Sequence, residues 1–326
     1  MAKPDTHSSD REETTAFVGA TPGPCRVRLL FNPHAGVKAG VSTTRGTTPE
    51  ALRDLMARYR LGDELIVTAS ADQASDAARD AVQQGYDLVI AAGGDGTVAT
   101  VAAELLDSET ALGILPLGSV MNVARMLDLS REPEAAAAVI ANGTPRVIDV
   151  GEANGQLFFE GGSVGLNAAI FREFQHLDAG RYRSLFTALW VLLRYRPARM
   201  VLHLNGQIVA TRALMVAVAN GLYTGLGFTV APDARLDDGR FDVRVFQRFS
   251  RGQLIAHLGA IAFGRRRYSP KVATYRSARV HIESVHSLPC RADSHDLGTT
   301  PVTFVVRHAA LKVIGPGVKA DGMGKR

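Results

Sequence analysis

Between residues 27 and 142 the chain alternates short, unbroken apolar runs with longer stretches that are apolar along one side. VRLLF (27–31), ELIVTAS (64–70), YDLVIAA (86–92) and ALGILP (111–116) are the apolar runs and predict strands. The intervening stretches predict helices. The first covers 49–60, with Thr48 as N-cap and Pro49 at the first helical position. The others cover 72–84 (stopped by Gly85), 97–106 with Thr97 at the N-cap, 119–129 capped by Ser119, and an Ala-rich 133–142 ended by Gly143. Strands without internal alternation, each followed by a single helix, predict a parallel sheet covered on both faces.

The pattern changes near residue 146. Asn154-Gly155 and Asn205-Gly206 each separate two strand-like runs, the strongest short hairpin signal. FDVRVF, KVATY, ARVHIE and VTFVVR follow as further short strands, and two helical inserts are read at about 181–196 and 250–264. The expected architecture is an α/β domain over 25–149 followed by an antiparallel β-rich domain over 150–307. Residues 1–24 and 317–326 are polar tails without a folding signal. No internal repeat or low-complexity linker interrupts the two.

Composition changes little in this picture. With 326 residues, 46% hydrophobic and 21% charged, the chain fills two ordinary soluble domains. The formal charge of +5 admits nucleotides, an anionic membrane or nucleic acid as partners; nucleic acid is the weakest of these, because no basic stripe is interleaved with aromatics. No run approaches the roughly 18 apolar residues of a membrane span, and the N-terminus has no apolar leader, so the expected location is cytoplasmic. Cys25 and Cys290 form neither a metal spacing nor a disulfide framework, which fits a reducing compartment. Asn142-Gly143-Thr144, a formal glycosylation sequon, carries no weight under that reading.

The candidate chemistry sits in LVIAAGGDGTV (88–98), a buried-strand pattern that ends in Gly93, Gly94, Asp95, Gly96 and Thr97. Glycines at a strand end let phosphate oxygens reach the backbone, and the first amides of the next helix are free to receive them. Asp95 then places an acid where a Mg²⁺ ion or a hydroxyl would lie against those phosphates. There is no Lys to make this a Walker A loop. Gly94-x-Gly96-x-x-Ala99 fits a dinucleotide fingerprint, but the next strand ends in Leu115-Pro116-Leu117-Gly118, without the required acid.

GGDGT, together with the Asn32-Pro33 strand end and ILPLGSVMNVAR (114–125), resembles the diacylglycerol kinase catalytic-domain family, which includes sphingosine kinases and is distantly related to NAD kinases. VIDVG (147–151), GGSVGLNA (161–168), VANGLYTGLGFTVAPDARLDDGRFDV (218–243) and LPCRADSHDLGTTPVTFVVRHAALKVI (288–314) extend the resemblance over about residues 26–316. The resemblance implies ATP in the cleft between domains, its phosphates on Gly93, Gly94, Asp95, Gly96 and Thr97. Asn32, Thr68, Ser119 and Asn122 are the further nucleotide-side matches; read from the residues alone, Ser119 is equally an N-cap and Thr68 a strand-end residue. Asp238, with the backbone carbonyls of Arg235 and Arg240, matches a structural Mg²⁺ position, although Asp-Asp-Gly is also an ordinary turn. Asp293 matches the family's proposed catalytic base, in a motif that is Asp-Gly-Glu in relatives and Asp293-Ser294-His295 here. A second departure puts Met121 and Asn122 where relatives have Asn and Asp, which removes a negative charge near the metal.

On the lipid side, YRSLFTALWVLLRYRPAR (182–199) is an apolar stretch with arginines at its ends, and GRRRYSPK (264–271) is a second basic cluster. Such segments suit peripheral contact with an anionic membrane surface, and equally a core helix with solvated ends. The resemblance also implies that the second domain is an antiparallel β-sandwich, that residues 308–316 return to the first domain, a membrane lipid as substrate and a homodimer. Three readings stand at this point: an ATP- and Mg²⁺-dependent kinase for a lipid hydroxyl of the diacylglycerol type, an NAD kinase-like enzyme, and a nucleotide-binding, membrane-associated protein with little turnover.

Overall fold

The computed structural model describes residues 25–317, apart from 35–36, 39–40, 43–46, 176–189, 192–193, 226–227, 248, 250–251, 254–255 and 257–271. The tails read at 1–24 and 317–326 (Gly317 apart), most of both helical inserts and the 264–271 basic cluster therefore lie outside the described residues.

The first half contains β1 (Val27–Phe31), β2 (Val37–Lys38), β3 (Val41–Ser42), α1 (Pro49–Tyr59), β4 (Glu64–Val67), α2 (Ala71–Gln83) and β5 (Leu88–Gly93). It continues through α3 (Asp95–Glu104), β6 (Ala111–Pro116), α4 (Asn122–Met126) and α5 (Pro133–Asn142). Local chemistry sets the helix starts. The Thr48 hydroxyl accepts from Ala51 N–H at 3.2 Å with Pro49 beginning α1, and Ser70 accepts from Gln73 N–H at 3.2 Å at the head of α2. Strands β4, β1, β5 and β6 pair in parallel in that order. Leu29, Ile90 and Leu115 fill one face of this sheet against Leu52, Met56 and Ile140. Leu30, Val89 and Leu112 fill the other against Val98, Val101 and Ala78. Each such side chain is worth about 2 kcal/mol on burial, which is why these strands show no polar alternation.

The second half is built from β7 (Thr144–Ala153), β8 (Gln156–Phe158), β9 (Gly161–Gly165), α6 (Leu166–Gln175), β10 (Ala198–Leu204) and β11 (Gln207–Ala219). β12 (Tyr223–Thr224), β13 (Phe228–Thr229), β14 (Phe241–Gln247), β15 (Val272–Ser277), β16 (Arg279–Ser284), β17 (Pro289–Ala292), β18 (His295–Thr299) and β19 (Val302–Gly315) complete it. Both expected hairpins form: Asn154-Gly155 (φ 49° and 82°) joins β7 to β8, and Asn205-Gly206 (φ 43° and 87°) joins β10 to β11. An antiparallel core of Phe158, Phe241, Phe304, Val216 and Ile282 lies between the strands.

Strand β19 joins the halves. It pairs antiparallel with β16 and β7 and then, at Val313, in parallel with Leu112 of β6. Buried Asp149 fastens the same seam: its carboxylate accepts from Gly239 N–H (2.6 Å), Ala309 N–H (2.8 Å) and His308 Nδ1 (2.7 Å).

Four sequence expectations are corrected. Helix α3 begins at Asp95, with Gly94 as its N-cap, so Thr97 stands inside the first turn. The helix expected at 119–129 shrinks to Asn122–Met126, because Met121 takes a left-handed φ of 54° and Ser119 lies outside it. The VTFVVR segment is part of a fourteen-residue strand, and α6, absent from the sequence reading, follows β9.

Candidate active site

The two halves enclose two adjoining cavities that share Asp95, Gly96, Thr100 and Ser294. The upper one, about 490 Å³, is lined by Asn32, Ser70, Gly94, Thr97, Gly118 and Ser119 among others. The lower one, about 380 Å³, is lined by Ala99, Ala103, Val123, Leu157 and Phe159, with Glu160, Asp293 and His295 as its titratable side chains besides Asp95.

The upper cavity is bounded by the glycine-rich turn from β5 into α3. β5 ends and α3 begins within two residues, so the first-turn amides of a ten-residue helix open onto the cavity. Gly93 is required by Thr97: a Cβ on Gly93 would meet the Thr97 side chain at 2.5 Å. Asn32 donates from Nδ2 to Thr97 Oγ1 (3.0 Å) and accepts on Oδ1 from His34 N–H (2.9 Å), which ties the end of β1 to the glycine loop. Asp95 accepts on Oδ2 from Met121 N–H at 2.8 Å, and this bond holds the loop after β6 against the loop after β5. Its other oxygen, Oδ1, is buried without a hydrogen-bond partner. A buried carboxylate oxygen without a donor is costly unless a cation or a donor from a bound molecule completes it.

Gly118 lets the two loops touch. A Cβ there would meet Gly94 Cα at 2.7 Å and Met121 Sδ at 2.8 Å, and the first of these is backbone that cannot rotate away. Gly118→Ala is therefore expected to cost about 1–3 kcal/mol of stability and to weaken nucleotide binding about tenfold or more by opening the cradle. Thermal denaturation and calorimetric titration check the two effects.

The lower cavity holds an acid pair brought together across 133 residues of sequence. Asp293 opens the turn from β17 to β18 with a left-handed φ of 43°. Its carboxylate accepts from Phe159 N–H (2.7 Å) on Oδ2, and from Glu160 N–H (3.0 Å) and Gly161 N–H (2.9 Å) on Oδ1. Ser294 has no left-handed φ, so this turn accepts Ser where relatives have Gly without strain. Burial raises the Asp293 pKa, opposed by the three amides and by Arg291. Glu160 accepts on Oε2 from Gly225 N–H at 2.8 Å. Burial, the charge of Asp293 and more weakly that of Asp95 push the Glu160 carboxyl up to about 8, against the opposing pull of the Asn122 side chain and the Gly225 N–H. Arg291 is the nearby cation; it stacks over the Phe171 ring at 4.4 Å, and its own pKa is lowered by burial.

Of the sequence-predicted residues, Asn32, Gly94, Asp95, Gly96, Thr97 and Ser119 line the upper cavity, Gly93 supports it, and Asp293 lines the lower one. Two nucleotide-side candidates lie elsewhere. Thr68 is 1% exposed and its hydroxyl donates to the Phe31 carbonyl, leaving the cavity wall at that level to Ser70. Asn122 is fully buried and donates to the Gly225 carbonyl at 2.7 Å, a bond between the halves. Arg235, Asp238 and Arg240 share one loop apart from both cavities. There the Asp238 carboxylate accepts from Arg240 N–H (3.1 Å) and faces the Arg276 guanidinium at 3.8 Å. Among the described residues no group of three or more His, Cys, Asp or Glu is placed to hold a metal. Asp95 Oδ1 is buried without a partner, so a cation arriving there would complete it, whereas Asp238 faces the Arg276 guanidinium.

Glu160 is the residue the sequence reading missed. Its signal was an acid closing the apolar run Leu157-Phe158-Phe159 directly before Gly161-Gly162, much as Asp95 follows Gly93-Gly94.

Residues 26–153 match the family model "Diacylglycerol kinase catalytic domain", and residues 163–315 match "YegS C-terminal NAD kinase beta sandwich-like domain". A diacylglycerol kinase of Bacillus subtilis (strain 168) is 27% identical over 305 residues, covering 91% of this chain and 98% of that protein. A probable lipid kinase YegS-like of Pseudomonas aeruginosa is 28% identical over 296 residues, covering 87% and 92%. A crystal structure of a diacylglycerol kinase from Bacillus anthracis superimposes with a TM-score of 0.67 at 21% identity, over 89% of this chain and 97% of that one.

Proposed function

We propose, from the premise that this chain belongs to the diacylglycerol kinase catalytic-domain family, that it transfers the γ-phosphoryl group of ATP to the hydroxyl of a diacylglycerol-type lipid. The observation that carries the reading is the pair of cavities meeting at Asp95 and Gly96, one lined by a glycine cradle and the other by an acid pair against apolar walls. Phosphoryl transfer needs this division: the donor's phosphates fixed by backbone N–H groups, and an alcohol approaching in line with a carboxylate near its proton.

In this reading the α3 amides, Asn32, Thr97 and Ser119 hold the triphosphate. The lower cavity takes the glycerol end of the lipid, with Glu160 and Asp293 on the side where the hydroxyl proton leaves. Mg²⁺ arriving with ATP would supply neutralisation of charge on the transferring group, and Asp95 Oδ1 is the acceptor that faces it. Contact with an anionic membrane belongs to the same proposal. Its described support is Trp190, 56% exposed, with the Arg194 guanidinium 4.5 Å from its ring centre. Among the described residues no helix is long and apolar enough to cross a membrane.

The test is incubation of the protein with γ-labelled Mg-ATP and a total lipid extract in mixed micelles, with NAD as a soluble acceptor in parallel. Label is expected in one lipid that co-migrates with phosphatidic acid, and none in NADP. Label in NADP alone would replace this reading with a dinucleotide kinase.

A further inference from the structure

We propose that the carboxylate of Glu160 accepts the proton of the acceptor hydroxyl and that Asp293 acts through it, as a positioning residue; this rests on the phosphotransfer reading above. The geometry separates the two acids. Both oxygens of Asp293 are occupied by backbone amides, three bonds in all. A carboxylate offers about four lone-pair positions, so Asp293 is largely spent on holding residues 159–161. Those bonds fix the backbone from which the Glu160 side chain starts, and the Glu160 carbonyl is fixed from its other side by Asn220 N–H (3.0 Å) and Gly221 N–H (3.1 Å). The Glu160 carboxylate is anchored by Gly225 N–H on one oxygen and lines the cavity that also reaches Asp95.

The surroundings suit the task. Asp293, Asp95, Arg291, His295 and the Asn122 carboxamide are the charged and polar groups around Glu160. The balance of these, with burial, makes Glu160 a stronger proton acceptor than an ordinary carboxylate. In the step itself the lipid O–H bond breaks while its oxygen bonds to the γ-phosphorus. The bond from that phosphorus to the β–γ bridging oxygen breaks, ADP leaves with the electron pair, and the proton passes to the Glu160 carboxylate, which later returns it to solvent.

The experiment follows transfer from γ-labelled Mg-ATP to dioleoylglycerol in mixed micelles between pH 6 and 10. Because Glu160 must be ionised, wild-type kcat rises with pH toward about 8 and levels above it. Glu160→Gln is expected to lower kcat by about 10²–10⁴-fold, to leave the KM for ATP near its wild-type value and to abolish the rise. Glu160→Asp keeps the rise at an intermediate kcat. Asp293→Asn removes a charge that raises the Glu160 pKa, so its rise persists and moves to lower pH.

A stability readout checks that Glu160→Gln is folded. A carboxyl with a raised folded-state pKa favours the native state below its unfolded value and loses that contribution as pH climbs to the folded one. Wild type therefore loses stability relative to Glu160→Gln between about pH 4.5 and 8, and the variant melts higher at pH 8–9.

A Glu160→Gln enzyme within threefold of wild type, or a pH rise abolished by Asp293→Asn but not by Glu160→Gln, overturns the assignment and leaves the kinase reading intact. A wild type that labels no lipid at any pH overturns the kinase reading, and the role of Glu160 falls with it.

Discussion

Asp95→Asn lowers kcat/KM for ATP by about 10²–10³-fold, the size seen when one preorganised electrostatic group is lost from a transition state. The substitution is isosteric. The carbonyl oxygen of asparagine still accepts from Met121 N–H, so the loop after β6 stays in register with the glycine cradle. The change is confined to the second oxygen, which is buried and unpartnered at the junction of the two cavities. An amide there presents donors in place of negative charge, repels a divalent cation and changes nothing in the core. Stability is accordingly expected within about 1 kcal/mol of wild type. Asp95→Ala serves as the contrast, since it also removes the Met121 bond and should lose stability as well as activity. Steady-state kinetics with thermal denaturation on both variants measures this; equal activity in Asp95→Asn and wild type would place the metal and phosphates elsewhere.

Asp149→Ala destabilises the fold by about 3–5 kcal/mol. The carboxylate is 1% exposed and terminates donors from two segments, Gly239 N–H in the loop before β14 and Ala309 N–H with His308 Nδ1 in the bulge of β19. Alanine leaves two buried amides without an acceptor, at about 1–3 kcal/mol each, and opens a small void. The melting temperature of a chain this size falls by roughly 2–4 °C per kcal/mol, giving a drop near 10 °C. Asp149→Asn retains one accepting oxygen but turns an NH₂ toward a donor, so it should fall between the two. A loss under 1 kcal/mol for Asp149→Ala in urea or thermal denaturation would mean that the seam is held elsewhere.

The parts of this molecule legible in its sequence are those decided by neighbouring residues. VRLLF and ALGILP form strands with the expected limits, Thr48-Pro49 starts α1, and the two Asn-Gly pairs turn their hairpins through positive φ. The glycine cradle was legible for the same reason, because strand, glycines and helix follow one another directly. Expectations failed where a distant partner decides. The helix after Ser119 is cut short by a left-handed Met121 whose N–H is taken by Asp95, twenty-six residues away. The long span of β19 depends on β7, β16 and β6, none adjacent to it in sequence. Thr68 is a strand-end residue in the sequence, and its bond to the Phe31 carbonyl of the neighbouring strand turns its hydroxyl inside. The acid pair is the clearest case. Read along the chain, Glu160 is an acid beside a hairpin, and it becomes part of a site when the β17–β18 turn folds Asp293 onto its backbone.

In the proposed reaction, donor and acceptor occupy adjoining cavities that meet at Asp95. Hydrogen–deuterium exchange of the intact protein tests it most directly, with Mg-ATP alone, with micelles of a non-reactive diacylglycerol ether alone, and with neither. Slower exchange is expected at residues 94–97 and 118–120 with Mg-ATP, and at 155–157 and 294–296 with the lipid. Protection of both sets by one ligand and neither by the other, or protection only outside them, would contradict it.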